Sequence, residues 1–228
     1  MKLQNDKDRA KQTVSQLPHL NDAQKHMEDT LIDNETTRTA VNNDLTEAQA
    51  LDQLMAELQD SIADKNNTLA SSQFINAEPN KKQAYTDAIQ NAENIINGLI
   101  NPTINKGNVS QATQAVTTAK QALDGVERLA EDKQNASNSI NHYDQLTPAQ
   151  QQAIDNAINQ ATTRDEVAQK LAEAQELNNA MKALKDSIQD QQQVKDSSNF
   201  INEDPVQKDA YTNAVQHAKD LINETTNP

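Results

Sequence analysis

SSQFINAEPNKKQAYTDAIQNAENIINGLINP, Ser71 to Pro102, returns as SSNFINEDPVQKDAYTNAVQHAKDLINETTNP, Ser197 to Pro228, displaced by 126 residues. The same displacement carries Leu20 onto Leu146, Arg38 onto Arg164, Met55 onto Met181 and Ile62 onto Ile188. Roughly 40% of the aligned positions are identical, which makes the chain a piece of a tandem array rather than a one-off catalytic domain. The first copy runs from about Met1 to Val126. The second begins at Glu127 and stops at Pro228, before the counterpart of Asn108 to Val126. The expectation is a fragment of a longer array, with Met1 as an added start residue.

Composition narrows the class. Aromatic residues make up 2% of the 228 residues and Gly only 3 positions, which argues against a thick core or a turn-rich β-sheet. A formal charge of −14 argues against nucleic acid as a partner, because phosphate backbones are held by clustered Lys and Arg. There is no Cys, so disulfides and thiolate metal sites are excluded. No apolar run approaches the roughly 18 residues of a membrane span, and no signal peptide or sorting signal is present in this sequence. A mean hydropathy of −0.89 approaches that of disordered chains, and only the periodicity of the apolar residues speaks for a fold.

That periodicity is helical. Tyr85, Ala88, Ala92, Ile95 and Leu99 step by threes and fours, as one face of a packed helix does. Val109, Ala112, Val116, Ala119, Leu123 and Val126 form a second stripe that continues through Ala130 and Ala136 to Ile140, predicting one long helix with a bend at Gly125. Val41, Leu45, Ala48, Leu51, Met55, Leu58 and Ile62 form a third, repeated as Val167, Leu171, Ala174, Leu177, Met181, Leu184 and Ile188.

Prolines 18, 79, 102, 148, 205 and 228 all fall between stripes or at a first helical turn. Thr147 to Gln150 and Thr163 to Glu166 read as capping boxes, with Asn21 to Gln24 and Asn108 to Gln111 as looser versions. Helices are predicted over Leu3 to Gln16, Asp22 to Asn34, Arg38 to Ala70, Pro79 to Ile100 and Asn108 to Gly125. The third would be roughly 50 Å long at 1.5 Å per residue. The expected fold is all-α: an elongated rod of alternating three-helix bundles joined by long shared helices. Its segments are 1–49, 50–126, 127–175 and a unit at 176–228 that lacks its third helix.

Two motifs carry a family resemblance. AQQQAIDNAINQATTRDEVAQKLAEAQEL, Ala149 to Leu177, resembles the second and third helices of the GA module, the three-helix albumin-binding type of Gram-positive surface proteins. The FIN-x-x-P and A-Y-T-x-A segments resemble the FIVAR module. Their alternation resembles the family of giant cell-wall-associated matrix-binding proteins of staphylococci over essentially the whole chain. The resemblance implies a surface-displayed helical rod, anchored to the cell wall elsewhere in its polypeptide, that adheres to matrix proteins such as fibronectin. Albumin-binding GA modules carry an aromatic on the second helix, whereas Asp22 to Asn34 and Pro148 to Asn159 contain none. This counts against albumin as a partner of either copy.

Single residues add little chemistry. His19, His26, His142 and His217 align with Gln145, Gln152, Gln16 and Asn91, so none recurs and all four read as solvated surface residues. No D-x-D-x-D-G loop, phosphate-binding Gly loop or G-x-S-x-G elbow is present. No catalytic, metal or cofactor site is therefore expected, no cofactor is implied, and the ligand-contacting residues are not identified. Phe74, Phe200, Tyr85 and Tyr211 recur and read as core, because an Ala-rich bundle needs a few large side chains to fill it. Tyr143, where the first copy has Leu17, reads the same way. The expected function is non-enzymatic adhesion by a monomeric repeat segment, weak per module and multiplied by repetition. A purely mechanical spacer is the alternative.

Overall fold

The computed structural model describes residues 1–224, and the predicted stop at Pro228 lies outside them. No strand occurs among the described residues. The chain divides into two compact units, Met1–Gly125 and Val126–Pro228.

The first unit opens with α1 (Lys2–Ser15), α2 (Asp22–Asn34) and α3 (Arg38–Ile62). Asn21 accepts from the Gln24 N–H and Gln24 returns a bond to the Asn21 N–H, so α2 starts on a full capping box. Ala10, Val14, Ile32, Val41 and Ala48 form the core of this bundle. Further along α3 the same three-four spacing delivers Leu51, Met55 and Leu58 to a second core, with Tyr85 and Ile89 of α6 (Pro79–Asn97) and Val109 and Val116 of α7 (Lys106–Gln121). One helix thus serves two cores. Full burial of Leu51, Met55 and Leu58 is worth about 1.5–3 kcal/mol each.

Three helix predictions are corrected. α3 ends at Ile62 rather than Ala70, because the chain turns at Ala63 and Asp64 and resumes as α4 (Lys65–Leu69). The turn aims Asp64 at Lys120 of α7 and Lys65 at Glu93 of α6, tying the end of α3 to both neighbours. The second copy turns at the same place: α10 (Arg164–Ser187) stops and α11 (Gln191–Asp196) follows. At 25 residues, α3 is roughly 37 Å long.

The stripe from Val109 to Ile140 is likewise two helices. α7 stops at Gln121, and α8 (Gly125–Ile140) begins after Ala122, Leu123 and Asp124. The break lets the chain meet the short α5 (Ser72–Ile75) backbone to backbone: a Cβ on Gly125 would lie 2.3 Å from the Ser72 carbonyl oxygen and 2.7 Å from the Ala77 nitrogen. Asp124 accepts the Glu78 N–H at 3.1 Å and Lys81 Nζ at 2.7 Å. Gly125 is there for close approach, not for a bend in a continuous helix. The predicted cap at Asn108 also moves, since Asn105 is the residue that accepts from the Asn108 N–H. α6 ends at Asn97 instead of Ile100, stopped by Gly98 in the left-handed region at φ 62°.

In the second unit α8, α9 (Pro148–Gln160) and α10 enclose Ala136, Ile140, Ile158, Ala161, Val167 and Ala174. Thr147 and Thr163 head α9 and α10 with complete capping boxes. α11, α12 (Ser198–Ile201) and α13 (Pro205–Ile222) follow, with α13 packing on α10. Phe200 meets Tyr211 edge to face at 5.7 Å, as Phe74 meets Tyr85 at 5.9 Å. Tyr85 is fully buried, whereas Tyr211 is only half-buried.

Candidate functional site

The densest buried polar chemistry lies where the α1–α2 loop meets α3. Asp52, on the core side of α3, accepts the His19 N–H at 2.8 Å and the Leu20 N–H at 3.2 Å through Oδ1, while its Oδ2 meets His19 Nδ1 at 3.0 Å. Two turns along α3, Gln59 donates to the His19 carbonyl at 3.1 Å. His19 is therefore engaged on three sides, and its assignment to the solvated surface is corrected. His26, His142 and His217 are exposed.

This arrangement recurs in the second unit with different residues. Asn178, at the place of Asp52, accepts the Gln145 N–H at 3.0 Å. Lys185, at the place of Gln59, donates to the Gln145 carbonyl at 2.9 Å. Gln24 Nε2 approaches Met55 Sδ at 3.3 Å in one copy, and Gln150 approaches Met181 Sδ at 3.7 Å in the other. Sequence comparison flagged the two methionines but missed the 52/178 and 59/185 pairs, because each pair changes residue type while keeping its hydrogen-bond role. Arg38 with Asp6 and Arg164 with Asp132 form a further recurring tie.

In the first unit the α2 cap holds the end of α6, while α2 and α3 hold the head of α7 and the residues before it. Asn21 Nδ2 donates to the Ile95 and Ile96 carbonyls at 3.0 and 3.2 Å, satisfying the end of α6. Gln24 Nε2 donates to the Thr103 carbonyl at 2.9 Å, and Lys106 pairs with Glu47. Behind these bonds Glu28 is 3% exposed. Burial, followed by the carboxylates of Asp44, Glu47 and Asp29, pushes its pKa up to about 7 against the opposing Lys106.

These groups hold backbone and helix ends together; the Arg38–Asp6 pair also lines an open cavity of about 460 Å³ with Arg9, Thr39 and Asn42. Among the described residues no three His, Cys, Asp or Glu side chains are grouped to hold a metal ion. No helix among them is long and apolar enough to cross a membrane. The site is thus a recurring interlock between successive helical bundles.

Such a fold and interlock define a tandem array of three-helix modules. The GA module family matches residues 1–54 and 126–180, and the FIVAR domain family matches 54–124 and 180–228. The chain belongs to the GA and FIVAR repeat family found in staphylococcal extracellular-matrix-binding proteins. It is 76% identical over all 228 residues to the extracellular matrix-binding protein ebh of Staphylococcus aureus (strain MRSA252), and spans about 2% of that protein's length. A crystal structure of a domain of EbhA from Staphylococcus aureus superposes with a TM-score of 0.72 at 34% identity, covering 76% of this chain and 71% of that one. A structure from work on Embp-mediated adherence of Staphylococcus epidermidis to fibronectin has a TM-score of 0.51 at 33% identity. That alignment covers 54% of this chain and 97% of the other.

Proposed function

We propose that this chain is a non-enzymatic repeat segment of a bacterial cell-surface adhesin. It forms part of a helical rod, anchored to the wall elsewhere in its polypeptide, that binds host matrix protein, fibronectin first, weakly and multivalently. Its modules are 1–49, 50–126, 127–175 and 176–228, and it needs no cofactor. The observation that carries this reading is the interlock at 19/52/59, repeated at 145/178/185 in a family whose relatives are named for matrix binding. An array built from one joint repeated at fixed spacing presents many equivalent surfaces, and linked weak contacts gain from effective concentration.

A mechanical spacer is the second reading, and one feature favours it. The first GA-like bundle has Gln24 and Glu28 of α2 buried against its neighbours, so that helix face is spent on internal packing. Surface plasmon resonance against immobilised fibronectin and albumin, at two salt concentrations, separates the two. The comparison sets the full chain beside residues 1–125, a compact unit by itself. Saturable fibronectin binding that strengthens with copy number supports the adhesin. Flat responses to both ligands support the spacer.

A further inference from the structure

Glu28 is an acid at a position where the fold does not require one. It is 3% exposed and lies one helical turn beyond Gln24, whose side-chain amide reaches the Thr103 carbonyl just before α7, on the side of α2 where Lys106 of α7 pairs with Glu47 of α3. The charged groups facing it are Asp44 and Glu47 from α3, Asp29 from its own helix, and Lys106 from α7. Lys106 is already committed to Glu47. Asp29 Oδ1 and Asp44 Oδ2 are themselves buried without partners. A carboxylate at Glu28 is thus largely desolvated, with its oxygens at the edge of the buried region, among like charges with one shared cation, and a neutral carboxyl there escapes that repulsion.

The second repeat has removed the conflict. Ile154 stands at the place of Glu28, Lys170 at that of Asp44 and Glu173 at that of Glu47, and Lys170 pairs with Glu173 at 2.8 Å. An aliphatic side chain, half-buried, takes this position in the second bundle, which has no counterpart of α7 among the described residues.

We propose that the meeting of α2, α3 and α7 in the first repeat is a proton-operated clamp: proton uptake at Glu28 tightens the hold of α7 on the bundle, and proton loss loosens it. The second repeat, carrying Ile154, has no such response. The array would then stiffen one joint in a mildly acidic medium while its neighbour stays unchanged. The clamp does not depend on whether the chain binds fibronectin.

The direction follows from linkage. An acid whose affinity for a proton is higher in the folded than in the unfolded chain makes folding take up a proton, so stability is greatest at low pH and declines as pH rises toward neutrality.

Hydrogen exchange on the full 228-residue chain tests this, at about pH 5.5 and about pH 7.5 after correction for intrinsic exchange. Protection of α2 and of residues 103–112 is expected to rise roughly tenfold on acidification, while α9 does not change. Glu28→Gln and Glu28→Ile should show high protection at both pH values. His19→Gln, which removes the imidazole paired with Asp52, should keep the full pH response. The proposal is overturned if the wild-type chain shows no response, if the response survives in Glu28→Gln, or if it vanishes in His19→Gln. Unfolding of both position-28 variants would overturn it too, since a neutral side chain there should strengthen the bundle.

Discussion

Asp52 Oδ1 holds the backbone N–H of His19 at 2.8 Å across 33 residues of sequence, and its other oxygen meets the imidazole of the same residue at 3.0 Å. A single carboxylate thereby fixes both the path of the α1–α2 loop and the ring that covers it. The second repeat keeps the first of these contacts through Asn178 and drops the second, because Gln145 replaces His19. The shared contact is the structural one.

Asp52→Asn should therefore leave the first unit folded with little loss, whereas Asp52→Ala strands the buried Leu20 N–H and the His19 N–H beside it. The expected cost of the alanine variant is about 1–3 kcal/mol. Urea unfolding followed by circular dichroism, with the two variants compared at one pH, reads this difference. Equal midpoints would mean that water replaces the carboxylate without penalty.

Gly98 and Gly125 should resist substitution for different reasons. At Gly98 the backbone is left-handed, and a Cβ would fall 2.5 Å from Asn21 Oδ1, displacing the side chain that caps both α2 and α6. At Gly125 the obstacle is the backbone of residues 72–77, which cannot yield as a side chain can. Alanine at either position should destabilise the first unit by about 1–3 kcal/mol despite its higher helix propensity. Thermal unfolding of the two single variants checks the effect.

Much of this fold was legible in the sequence, and the exceptions share one cause. The start of α2 at Asp22, the boxes at Thr147 and Thr163, and the burial of Tyr85 followed from local chemistry or helical spacing. The turns at Asp64 and at Ala122 to Asp124 did not, because apolar spacing carries through both. What breaks the helices there is tertiary: ion pairs from Asp64 and Lys65, and the approach of Gly125 to residues 72–77. The interlock was hidden for a related reason, since Asp52/Asn178 and Gln59/Lys185 preserve hydrogen-bond geometry without preserving identity.

Tyr85 offers a test with opposite signs. Its ring fills the second core at zero exposure, but its hydroxyl is buried with no partner among the described residues. Tyr85→Ala should cost about 3–5 kcal/mol and unfold the α3–α6–α7 bundle. Tyr85→Phe removes an unsatisfied polar group without changing shape, and should be neutral or stabilising by up to about 1–2 kcal/mol. Chemical denaturation of both variants reads the pair. A phenylalanine variant weaker than wild type would show that the hydroxyl has a water partner.

Acidification should act on the second unit through a different glutamate. Glu166 accepts from the Thr162 and Thr163 N–H groups at 2.6 and 3.2 Å at the head of α10, which lowers its pKa. Its sign is opposite to that of Glu28: the contribution is present above the unfolded value and is lost as pH falls through the folded one. Glu166→Gln should keep the cap geometry while removing this acid-side loss. Amide exchange at the start of α10 between about pH 3 and about pH 6 follows it.

α6 and α13 share the motif A-Y-T-x-A but not the same surroundings. Val109, Val116 and Leu123, from α7 and the residues after it, join Tyr85 and Ile89 of α6 in one core. No described residue of this chain does the same for Tyr211, and Val215 and Ala218 are the buried residues of α13. Slow-exchanging amides should therefore be abundant in α6 and sparse in α13, by roughly tenfold or more in protection. Appending a copy of residues 103–125 after Pro228 should raise α13 toward α6 if α7 packing is the cause. Equal protection in the unextended chain would show that contact with α10 alone suffices to hold the helix.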